Sequence, residues 1–74
     1  MPLDPLPYRE VKRRLEAAGF VEHTQKGSHV KFVRITADET RTAIVPKHRE
    51  IKTGTLRGIL RQAGITDDEW ADLD

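Results

Sequence analysis

Apolar residues at Tyr8, Val11, Leu15 and Ala18 recur at helical spacing, whereas His29, Val30, Lys31 and Phe32 alternate polar and apolar with the two-residue period of a strand. The first pattern predicts a helix over 8–18, with Pro7 at or near its first turn, Gly19 at a left-handed C-cap and Phe20 packing back after it. Residues 20–25 and 28–35 read as a β-hairpin around Lys26-Gly27. Thr36 to Thr40 is a polar turn, and Arg41 to Val45 forms a third strand stopped by Pro46, which cannot extend a sheet ladder. The loop Lys47 to Lys52 leads to a second helix, with Thr53 as its expected N-cap, an apolar stripe at Leu56, Ile59, Leu60 and Ala63, and Gly64 closing it. Thr66 and Glu69 carry a capping-box signal for a terminal turn that holds Trp70 and Leu73, with Trp70 expected to anchor the tail rather than to stack on bases. The proline-rich residues 1–7 read as an extended arm.

A two-residue loop at Lys26-Gly27 sets Thr24 against His29, His23 against Val30, Glu22 against Lys31 and Val21 against Phe32. This register predicts Val21, Val30 and Phe32 on the core face, with Thr24, His29, Glu22 and Lys31 on the other. His23 then lies toward the core rim, and Glu22 is expected to pair with Lys31. Val33 and Ile35 continue the strand on the polar side, so the alternation weakens there and a bulge or a covered edge is expected.

The order α-β-β-β-α predicts an α+β domain, a three-stranded antiparallel sheet with two helices on one face and a short C-terminal helical turn. Its topology resembles the double-stranded-RNA-binding fold. At 74 residues the chain supports one domain, 1–74, with a thin core. It has no cysteine, which excludes disulfides and thiolate metal sites and fits a reducing compartment. No signal-peptide run or membrane-length apolar segment is present, so a soluble cytoplasmic protein is expected, with no membrane partner. The formal charge of +1 conceals an asymmetry: all 13 Lys and Arg precede Asp67, against seven of the twelve acids, which leaves residues 1–66 at +6 and an acidic end. A basic body suits a nucleic-acid partner and equally suits a solvated small domain. Arg9, Lys12, Arg13 and Arg14 on the first helix are read as a solvated face.

Within this frame the segment Gln25 to Phe32 carries the candidate chemistry. His29 stands just past a glycine turn on a polar strand face, where an imidazole faces solvent and can exchange a proton with a ligand on the sheet. Lys31 points the same way. The pair suggests a site for an anionic substrate. His48, in the basic loop, is either a second acid/base, an RNA contact or a loop histidine bonding backbone. A metal site built from His23, His29 and His48 is disfavoured, because the expected register places His23 and His29 on opposite faces.

Four blocks then resemble one family in order and spacing: Ala17-Ala18-Gly19-Phe20, Lys26-Gly27-Ser28-His29, Val45-Pro46-Lys47-His48, and Lys52-Thr53-Gly54-Thr55-Leu56-Arg57-Gly58-Ile59-Leu60-Arg61-Gln62-Ala63-Gly64-Ile65. Together they look like the HicA toxins of bacterial type II toxin-antitoxin systems, over about residues 8–65. The resemblance implies a small ribonuclease, an mRNA interferase, with a double-stranded-RNA-binding-like fold and no cofactor. It also implies a HicB antitoxin partner that commonly carries the DNA-binding segment, so that DNA is engaged only through the antitoxin. The family's catalytic histidine falls on His29, with Gly27 and Ser28 completing its motif. Thr53 stands where many members have proline. The arm before Tyr8 and the acidic end after Thr66 inherit no role.

RNA cleavage needs a proton removed from the 2′-hydroxyl, a proton given to the leaving 5′-oxygen, and stabilisation of a charged phosphorane. The expected division is His29 as general acid or base, Lys26 and Lys31 on the phosphate, and Lys47 and His48 as further RNA contacts, without a metal.

Overall fold

Pro7 has no amide hydrogen to donate, but its carbonyl accepts from the amides of Glu10 and Val11, so it sits at the mouth of the first helix without interrupting it. The computed structural model describes residues 3–74 and orders them as α1 (Tyr8–Ala17), β1 (Val21–Lys26), β2 (His29–Ile35), β3 (Thr40–Pro46), α2 (Thr53–Ala63) and α3 (Asp67–Asp72). α1 ends as its sequence predicts: Gly19 adopts φ 96°, and the amide of Phe20 returns to the Leu15 carbonyl at 2.9 Å, so Phe20 turns into the core.

The three strands form one antiparallel sheet in the order β1-β2-β3, with the helices on one face. Val30 and Phe32 of β2, Ala43 and Val45 of β3, Val11 and Leu15 of α1, and Leu56, Ile59, Leu60 and Ala63 of α2 are buried in one cluster. The opposite face of the sheet carries no helix. β3 is an edge strand, and the outward amide of Ile44 is satisfied by the Gln62 side-chain carbonyl at 2.9 Å, so α2 closes that edge with a side chain.

One expectation changes in detail. Thr53 is not the N-cap of α2: Lys52 holds that place with extended backbone, and Thr53 is the first helical residue. Its hydroxyl donates instead to the Leu3 carbonyl at 2.9 Å. That bond and the antiparallel bridge between Leu6 and Ile51 tie down the arm, whose first two residues lie outside those described. At the other end the capping box of Thr66 and Glu69 forms in full, and it starts α3 so that Trp70 is buried against the core.

Candidate active site

The hairpin turn consists of Gly27 and Ser28, one residue later than the pattern suggested. Gly27 has φ 61° and Ser28 does not have positive φ, the arrangement of a II′ turn, which requires glycine at its first central position. Lys26 therefore opposes His29, Gln25 opposes Val30 and Thr24 opposes Lys31. A bulge at His23 then shifts the pairing again, so that Glu22 opposes Phe32 and Val21 opposes Val33.

These shifts leave β2 as expected and reassign β1. His29 and Lys31 are on the open face and exposed, between buried Val30 and Phe32. Val21 is not in the core: it joins Val33 and Ile35 on the open face and is 67% exposed. His23 is not at the core rim, because as the extra residue of the bulge it is exposed, lining with Gly19, Val21, Val33 and Ile35 a shallow hollow of about 290 Å³. Glu22 shares the helix side with Phe32 and pairs with Lys12 of α1 at 3.1 Å, not with Lys31.

The open face thus has two ends. At the far end lie Val21 and Ile35, apolar and exposed, with half-buried Val33. At the hairpin end His29 lies between Lys26 on one side and Pro46 on the other, and Lys31 lies between Thr24 and Ile44. Among the described residues, no ion pair engages Lys26 or Lys31. Two cations flanking an exposed imidazole with no carboxylate bound to them suit a phosphodiester.

The loop after β3 is fastened to this end. The amide of Lys47 donates to the Ser28 carbonyl, one step beyond the last strand pair. Its ammonium, however, leans 5.8 Å over the Tyr8 ring on the helix side, so this side chain does not share the open face with His29. His48 follows, exposed. The sequence pattern missed Pro46 as a neighbour of the site, and it set Thr24 against His29, whereas Thr24 opposes Lys31 on the same face.

The basic face of α1 has a different character. Arg13 and Arg14 hold Glu10 at 2.6 and 2.8 Å, and Arg14 also meets Asp74 at 3.2 Å while lying 5.3 Å over the Trp70 ring. Hydrogen bonds from Arg13 and then Arg14 hold the Glu10 carboxyl down at about 2. The acidic end thus folds against α1 rather than across the open face.

Among the described residues, no group of three or more His, Asp or Glu side chains is gathered closely enough to hold a metal ion, and no helix is long and apolar enough to cross a membrane. A family model described as HicA toxin of bacterial toxin-antitoxin matches residues 8–65, which takes in both the hairpin and the loop fastened to it. No curated protein matches the chain.

Proposed function

The chain belongs to the HicA toxin family, and from that premise we propose that it is an endoribonuclease that cleaves mRNA at the hairpin end of its open sheet face. The observation that carries this reading is the exposed imidazole of His29 standing beside Lys26 and Lys31, two cations without an ion-pair partner among the described residues.

The 2′-hydroxyl of the substrate is the nucleophile. Its oxygen forms a bond to phosphorus as the bond to the 5′-oxygen breaks, leaving a 2′,3′-cyclic phosphate and a free 5′-hydroxyl. His29 performs one of the two proton transfers, an effect typically worth ~10²–10⁴-fold in rate. Lys26 and Lys31 hold the phosphate and stabilise the negative charge that develops on its oxygens. The turn contributes by geometry: Gly27 supplies the positive φ, and the Ser28 carbonyl fixes the neighbouring loop.

A toxin of this family implies a HicB-type antitoxin. The antitoxin covers the open face and so excludes RNA; with an acidic partner segment over Lys26 and Lys31, its affinity falls as salt rises. End-labelled single-stranded RNA incubated with purified protein, with and without EDTA, tests the activity. The expected products carry 2′,3′-cyclic phosphate ends and form equally in chelator. RNA that is bound but left intact would move the protein to a non-catalytic RNA-binding role.

A further inference from the structure

Cleavage of RNA by its own 2′-hydroxyl moves two protons, and one imidazole accounts for one of them. Three of the acid groups are held away from His29. Glu22 is held by Lys12 on the helix side of the sheet, Glu10 is held between Arg13 and Arg14 on α1, and Glu39 pairs with Arg41 at the start of β3, at the opposite end of the sheet from His29.

The geometry beyond β3 provides another candidate. His29 pairs with Pro46, and the bond from the Lys47 amide to the Ser28 carbonyl makes that pair a non-hydrogen-bonded one, in which side chains stand closest. It also lets Pro46 occupy the strand without cost to the ladder, since its nitrogen faces the outer edge. The alternation continues past the strand. Pro46 is on the open face and the Lys47 ammonium lies over Tyr8 on the helix side; the same alternation carried one position further assigns exposed His48 to the open face. His29 and His48 then stand as diagonal cross-strand neighbours, positions whose Cβ atoms are about 7–8 Å apart, within reach of the two sides of one phosphodiester.

We infer that His48 is the second proton-transfer residue, so that one of the two imidazoles takes the 2′-hydroxyl proton and the other gives a proton to the 5′-oxygen as the P–O5′ bond breaks. This inference rests on the ribonuclease reading and assigns the missing half of its chemistry. The bond from the Lys47 amide to Ser28 ties the residue before His48 to the hairpin that carries His29.

The test compares wild type, His29→Ala, His48→Ala and His48→Gln on two RNAs of the same sequence, one ordinary and one with sulfur replacing the 5′-bridging oxygen at the cleaved bond. A thiolate leaves without protonation, so losing the proton donor slows only the ordinary substrate. The expected result is that both His48 variants cleave ordinary RNA at least 100-fold more slowly while binding it with unchanged affinity, and that on the sulfur substrate exactly one of the two positions recovers the wild-type rate. Recovery in the His48 variants makes His48 the donor; recovery in His29→Ala makes His48 the acceptor. His48 variants that cleave ordinary RNA at the wild-type rate, or a sulfur substrate that rescues neither position, would overturn the assignment. Wild type that cleaves neither RNA would instead overturn the ribonuclease reading itself.

Discussion

The outer face of α1 and the hairpin end of the sheet are both rich in Lys and Arg, yet the fold treats them in opposite ways. On α1 each of Lys12, Arg13 and Arg14 has a carboxylate within 3.2 Å, drawn from Glu22, Glu10 and Asp74. At the hairpin end Lys26 and Lys31 flank His29 with no such partner among the described residues. Positive charge in the sequence is therefore a poor guide to which cations stand unpaired in the fold. A cation already bonded to a carboxylate must break that bond first, whereas an unpaired one stands ready. The acidic end of the chain serves the same division, since its docking through Trp70 and Asp74 gives Arg14 a second carboxylate on α1 and leaves the open face clear.

The largest way to break this contrast is Trp70→Ala. Removing a buried aromatic that supports Arg14 is expected to cost about 3–5 kcal/mol, read by urea unfolding, a large share of the stability of so small a domain. At the other region, Lys31→Gln is expected to weaken RNA binding and to reduce the salt slope of log K by roughly 0.7, as one single-strand phosphate contact is lost. Arg13→Gln sharpens the comparison because it removes the same charge from the paired face. RNA affinity is expected to hold within two-fold and the urea midpoint to change little, as for an exposed ion pair.

The smallest effect concerns acid. Glu10 is held at about 2 against an ordinary value of 4.5, so its contribution is complete above pH 4.5 and is lost as pH falls from there through 2. Glu10→Gln should therefore flatten the acid-unfolding curve in that window and leave stability differences constant above it. A variant curve parallel to wild type throughout would show that the pairing on α1 contributes nothing.

The same two regions show what a sequence discloses. α1 and α2 were legible because their apolar stripes end at Gly19 and Gly64, residues that adopt the left-handed conformation at helix ends. β2 was legible because Val30 and Phe32 are buried while His29 and Lys31 are exposed. β1 was not. All six of its residues are exposed, so no buried position fixed its register, and the bulge at His23 inserts an extra residue that composition does not reveal. The turn was misplaced by one because glycine serves either central position of a two-residue loop with positive φ. Gly27, Ser28 and His29 stood out as a motif, with Lys26 and Thr24 as expected neighbours; Pro46 depended on a pairing that the motif does not encode.

The central claim is that cleavage occurs at the hairpin end and depends on His29. The most direct measurement is the single-turnover cleavage rate of His29→Gln beside Arg13→Gln and wild type on one single-stranded RNA, with binding affinity measured in parallel. The account predicts a loss of ~10²–10⁴-fold for His29→Gln at nearly unchanged affinity, and a wild-type rate for Arg13→Gln. Equal rates for His29→Gln and wild type, or a loss confined to Arg13→Gln, would contradict it.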